Sequence, residues 1–252
     1  MDSLALKMLF ALRPVPLWWR DDDAARDTPE LRRLLELSAR LKIPLLLAVI
    51  PDAMDESLPP LVRRYPLVRV AQHGVAHTNH APASRKKQEL VSGFDAEQLR
   101  RGKQRLEAAF PEQFRPILVP PWNRIDAGII DALPGLGYAA LSAGGGAARF
   151  EPLLTIDGHV DPVAWGTGKS GMLNPFRGHV RTTAMLLRAY LRGWRPIGLL
   201  THHLGMDEAA WRYSERLLER LRRHFVDPDA LFACAPAPDL LAEQTAKKSG
   251  IL

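Results

Sequence analysis

Short apolar runs that alternate with amphipathic stretches are the feature that most limits what this chain can fold into. The runs at 15–20, 44–50, 67–72, 116–119, 138–142, 153–156 and 196–201 read as strands. Between them, segments opening at Thr28, Asp95, Arg124, Arg181 and Asp207 repeat their apolar residues at helical spacing. Thr28 and Asp95 stand where N-caps belong, and Pro29 follows the first of them. Strand and helix in alternation is the sign of βαβ units and a mainly parallel sheet. In a parallel barrel the C-terminal strand ends converge on one mouth, so residues distant in sequence meet there.

The 252 residues are read as one domain, with a tail from about residue 237 that is peripheral. Hydrophobic residues at 46% and charged residues at 25% exclude disordered and fibrous classes. The only cysteine, Cys234, excludes an internal disulfide. The net charge of +6 comes mostly from arginines interleaved with glutamates, as in LRRLLELSARL and RYSERLLERLRRH. That pattern marks solvated helix faces, so no nucleic-acid partner is expected. The opening MDSLALKMLFALRPVPLWW carries Lys7 and no convincing cleavage site. With no run long enough to span a bilayer, the expected address is cytoplasmic. The glycine run at 144–146 lacks the spacing of a phosphate loop and reads as a turn.

Polar clusters follow directly on several strands: Asp21-Asp22-Asp23, the run from His73 to His80, the run from Pro120 to Arg124, and His202-His203. Three successive aspartates after an apolar strand repel one another unless a cation or hydrogen-bond donors compensate. His73 and His77 are four apart, which on a helical turn aims both imidazoles at one ion, with His80 as a third candidate. Asp22 completes a two-histidine, one-carboxylate set suited to zinc or another first-row divalent ion. Asp21 is then available as the general base, and one of His202 and His203 as the acid.

Taken together, these residues resemble the polysaccharide deacetylases, also called carbohydrate esterase family 4 or the NodB-homology domain. The family's motifs are matched in order by Asp21-Asp22, by His73 and His77, by Pro120-Pro121-Trp122-Asn123, and by Leu200-Thr201-His202. The resemblance implies a distorted (β/α)7 barrel. It also implies Asp21 as base, Asp22, His73 and His77 as ligands of a divalent metal, usually zinc, and His202 as acid. Trp122 would line a substrate groove, the backbone of Pro121 to Asn123 would help hold an oxyanion, and Arg124 and His203 are further substrate-binding candidates. Three positions and one whole motif depart from the pattern. Val119 stands where an arginine usually pairs with the base, leaving Arg20 or Arg124 to supply that charge. Asn123 replaces a glycine, and Gly74 replaces a serine or threonine. The fourth motif is only echoed by Asp161 and Trp165.

The expected activity is metal-dependent removal of an N- or O-acetyl group from a carbohydrate. Alternatives are an amidohydrolase acting on a small cyclic amide or formamide, and a binding module that keeps metal and sugar without turnover.

Overall fold

The computed structural model describes residues 15–144, 153–163, 175–193 and 196–233. Eight strands form one sheet: β1 (Leu17–Ala24), β2 (Leu45–Val49), β3 (Val68–His73), β4 (Phe114–Val119), β5 (Ala140–Leu141), β6 (Leu154–Thr155), β7 (Gly158–Val160) and β8 (Ile197–Thr201). Their order is β6-β5-β4-β3-β2-β1-β8-β7, and the neighbouring strands run parallel. The sheet curls into a distorted (β/α) barrel, with β3 and β2 in the middle of the strand order. The helices are α1 (Pro29–Leu41), α2 (Leu58–Val62), α3 (Ala96–Ala109), α4 (Ala127–Ala132), α5 (Pro175–Leu191), α6 (Glu208–Leu221) and α7 (Pro228–Ala233).

All seven expected strands are present, joined by β7. Its three residues, Gly-His-Val, contain no apolar run for the sequence pattern to register. Helix α5 starts at Pro175, ahead of the expected Arg181, because Pro175 and Gly178 disguise its first turn. Helix α4 stops at Ala132, and a 3-10 turn takes over at Pro134, whose ring cannot continue an α-helix. Thr28 and Asp95 cap as anticipated, accepting the N–H groups of Leu31 and Glu97. Trp165, Cys234 and the tail lie outside the described residues. No described helix is long and apolar enough to cross a membrane.

Strand alternation sorts the core into two layers. Trp19, Leu45, Leu47, Val49, Val70 and Leu199 pack outward against helix residues such as Leu31, Leu34 and Leu218. Trp18, Leu46, Ala48, Ala71, Ile117 and Val119 fill the interior. The small interior residues accommodate the indole of Trp18. A Cβ on Gly198 would lie 2.7 Å from its Nε1 and 2.3 Å from the carbonyl of Asp157, so that position requires glycine. At the other end of the barrel, Arg69 and Arg115 clasp Asp229, and Arg69 also reaches Asp227, fastening α7 beneath β3 and β4.

The imidazole of His159 on β7 accepts the Gly198 N–H at 3.0 Å, so its proton sits on Nε2. Burial lowers its pKa from 6.5 to about 4. A histidine depressed in the fold binds its proton more readily once the chain unfolds, so stability is complete above pH 6.5 and falls as pH drops towards 4. Thermal melts across that window should show a decline that His159→Gln flattens; an equally steep decline in the variant would assign the effect to other groups.

Candidate active site

The end of β1 sorts three adjacent aspartates into three environments. Asp21 pairs with Leu47 of β2 and Ala24 with Val49, so three steps on β1 face two on β2. This bulge bends the chain at Asp23, whose φ of 73° lies in the left-handed region. Alternation would send Asp23 to the same face as Asp21. The bulge instead re-aims it into the mouth, where Oδ1 lies 3.1 Å from His73 Nε2 and 3.3 Å from His77 Nε2. These three donors all fall within 4.8 Å of one another. The carboxylate brought to the histidines is therefore Asp23, not the expected Asp22.

His73 closes β3, and its Nδ1–H donates to the Val119 carbonyl at 3.0 Å. That bond fixes the ring and leaves Nε2 facing Asp23. His77 follows in a loop rather than on the expected helical turn, with Gly74 and His77 both in the left-handed region. Glu89, fully buried, holds this loop: its carboxylate accepts the N–H groups of Val75, Ala76 and Thr78 at 3.0, 2.8 and 3.2 Å. The sequence reading missed Glu89, which sits twelve positions beyond His77 without any motif to flag it. His80 is engaged elsewhere, donating to the Glu89 carbonyl and stacking on Phe94.

Glu89 also explains the departure at Gly74. A Cβ there would lie 1.9 Å from Glu89 Oε2 and 2.5 Å from Pro121 Cγ, at a φ of +56°. Gly74→Ala should cost about 3 kcal/mol, combining a left-handed backbone penalty with overpacking. Urea denaturation measures this, and an unchanged midpoint would show that the loop yields freely.

Asp22 points into the barrel on the face shared with Arg20, two residues earlier. The Arg20 guanidinium, with no exposed surface, donates from Nη2 to Asp22 Oδ2 at 3.0 Å, while Nε approaches Oδ1 to 2.9 Å at an angle too oblique for a good hydrogen bond. Arg20 also donates to the Ser142 carbonyl and hydroxyl and to Asn123 Oδ1. Of the two arginines offered in place of Val119, Arg20 is therefore the one that reaches an aspartate, whereas Arg124 donates to the Lys87 carbonyl. His202, at the end of β8, brings Nε2 to 3.9 Å from Asp22 Oδ2.

Asp21, the expected base, occupies the opposite face. It is wholly buried, accepting from His203 Nδ1–H at 2.5 Å and from the Thr201 hydroxyl at 2.6 Å. That hydroxyl in turn accepts the Trp19 indole N–H. His203, offered as a substrate contact, is only 1% exposed and faces Asp21.

In the β4 loop, Trp122 lays its ring 4.4 Å from that of His77 and is half-buried, a placement consistent with a groove wall. Pro121 is buried beside Gly74. Trp122 and Asn123 have φ of 54° and 56°. Asparagine tolerates the left-handed region better than most residues, which is why it can stand in for glycine at position 123.

The electrostatics suit a cation. Burial would raise the Asp23 carboxyl, but the hydrogen bond and charge of His73, with His202 and His77, overcome it and hold the group well below the ordinary range. Burial opposes protonation of His73, yet Asp22 and Asp23 outweigh it and raise its pKa. At His77, burial and the neighbouring His73 lower it. A carboxylate facing two imidazole nitrogens must be bridged by a proton or by a metal that displaces it.

No family model and no curated protein matches the chain. Solved structures do. A deacetylase with substrate superposes with a TM-score of 0.55 at 17% identity, covering 94% of this chain and 96% of that one. An acetyl xylan esterase of family 4 from Clostridium thermocellum, in complex with a cobalt ion, gives 0.55 at 12% identity, covering 86% and 90%. The fold is that of the family 4 carbohydrate esterases. The family's architecture also appears in a mutant pseudoenzyme with restored enzymatic activity, at a TM-score of 0.55 and 15% identity, covering 87% of this chain and 68% of that one.

Proposed function

We propose that this chain is a divalent-metal-dependent hydrolase that removes an acyl group, in the first instance acetyl, from a carbohydrate. One observation carries the reading: the donors of Asp23, His73 and His77 converge within 4.8 Å beside a carboxylate, Asp22, that a buried arginine holds in place. Two imidazoles and one carboxylate fit zinc or a similar ion. Such an ion supplies Lewis acidity to the substrate carbonyl and lowers the pKa of water.

The chain's own residues do the rest. Asp22, oriented by Arg20, accepts the proton of the attacking water. His202 lies across from it to protonate the leaving nitrogen or oxygen. Trp122 offers an apolar face to a sugar ring. The family's base-and-ligand aspartate pair thereby corresponds to Asp22 and Asp23, one residue later than the sequence match placed it. Arg20 argues against the non-catalytic reading, because it restores the charge whose loss at Val119 would disable the base.

The test is release of acetate from N-acetylated and O-acetylated oligosaccharides by protein loaded with zinc or cobalt, with and without a chelator. Chelator-sensitive release supports the proposal. Protein that binds no stoichiometric metal, or releases acetate equally after chelation, would sink it.

A further inference from the structure

One carboxylate, Asp21, binds the residues on both sides of His202. Its Oδ2 accepts from the Thr201 hydroxyl at 2.6 Å and its Oδ1 from His203 Nδ1–H at 2.5 Å. All three residues are buried. Thr201 is held a second time, because its oxygen accepts the Trp19 indole N–H at 2.9 Å. The register of β1 and β8 runs from Leu17 beside Ile197 to Asp21 beside Thr201, and so stops one residue short of His202. His202 itself keeps an extended backbone, with φ of −140° and ψ of 93°, before the chain enters a 3-10 turn at His203.

Side chains alternate along extended chain, so Thr201 and His203 share one face while His202 turns to the other. On β1 the same alternation puts Asp21 with Trp19 on the face that packs against the helices, and Asp22 on the interior face. The bonds of Asp21 therefore join β1 to β8 on the outside, while Asp22 and His202 meet across the same two strands on the inside, 3.9 Å apart. Where the ladder ends, the His203 side chain continues the fastening. Stability alone does not call for this arrangement. A buried carboxylate and imidazole give up hydration, and apolar residues of the same volume often hold two elements together as well or better. What the polar group adds is direction, because hydrogen bonds of defined length and angle select one backbone position.

We propose that Asp21, Thr201 and His203 form a clamp that sets His202 against Asp22, which makes the three of them positioning residues for proton delivery to the leaving group. This rests on the hydrolase reading, in which His202 is the acid.

Thr201→Val and His203→Leu each delete one bond of the clamp. Thr201→Ser and His203→Asn restore it, since an asparagine amide N–H can stand close to where Nδ1–H was. Metal-loaded variants, each checked by a melt, are assayed on an acetylated oligosaccharide, whose leaving group needs a proton, and on 4-nitrophenyl acetate, whose phenolate departs without one. In the valine and leucine variants kcat on the sugar should fall roughly 10–10²-fold, the scale expected of a misplacement of about 1 Å, with KM little changed. The loss on the nitrophenyl ester should be several-fold smaller, and the serine and asparagine variants should recover most of the difference. His202→Ala should show the same split more strongly. Equal losses on both substrates, or undiminished turnover of the sugar, in folded and metal-replete valine and leucine variants would overturn the clamp. If His202→Ala showed no split while the wild type released acetate, the acid assignment would fall and the clamp's role with it. Crystal structures of the valine and leucine variants give a reading independent of turnover, in which His202 Nε2 should shift relative to Asp22 by roughly 1 Å. A ring left in place overturns the proposal even where acetate release upholds the hydrolase reading. A displaced ring in a protein that releases no acetate would leave the clamp standing and remove the hydrolase.

Discussion

Asp22→Asn should cut turnover by roughly 10²–10⁴-fold, the usual contribution of a general base, while bound metal stays near wild-type content. The reason is positional. Asp22 does not belong to the converging donor set, yet it faces the same mouth, with Arg20 on one side and His202 3.9 Å away on the other. Asparagine keeps an oxygen to accept from Arg20 but cannot take a proton at neutral pH. The neighbouring substitution separates this assignment from the one that motif matching suggests. Asp21→Asn removes a charge from a buried network with His203 and Thr201, so its cost falls on stability, at about 1–3 kcal/mol. Kinetics and metal analysis on both variants, with melts, decide the matter. If Asp21→Asn abolished turnover in a well-folded protein while Asp22→Asn left it intact, the base would be Asp21 after all.

Asp23→Asn should lose metal and activity together. It replaces the carboxylate of a three-donor set with a neutral amide, a much weaker ligand for a divalent ion. The apo protein should still fold, because Asp23 lies at a strand end, and its left-handed φ of 73° is one that asparagine readily adopts. The expected picture is near-normal circular dichroism, metal content well below stoichiometric after dialysis, and activity returning only at high added metal. Full metal occupancy in this variant would move the ligand assignment elsewhere.

The barrel was legible in the sequence because most of its strands fall within short apolar runs and its helices carry their apolar positions at regular spacing. The short β7 was not, since Gly158 and His159 carry no such pattern. The cluster of candidate residues was legible, but not which aspartate meets the histidines. His73, His77 and His202 stand where strand ends place them, but choosing among Asp21, Asp22 and Asp23 needed the bulge, and a bulge is set by pairing with β2, which no local pattern reveals. Glu89 was hidden for the opposite reason. A lone buried carboxylate that ties down backbone amides has no spacing rule, and only the collision it would make with a side chain at Gly74 betrays it.

Arg20 also changes which parts of the molecule are free to vary. With the guanidinium two residues from Asp22 on one strand, the proposed base travels with its own counter-charge, and no distant segment must arrive to switch it on. The β4 loop is reduced to lending Arg20 the amide oxygen of Asn123. Exchanging residues around Trp122 could therefore retune which acylated compound is accepted while the proton-transfer apparatus remains intact, separating the evolution of selectivity from that of catalysis.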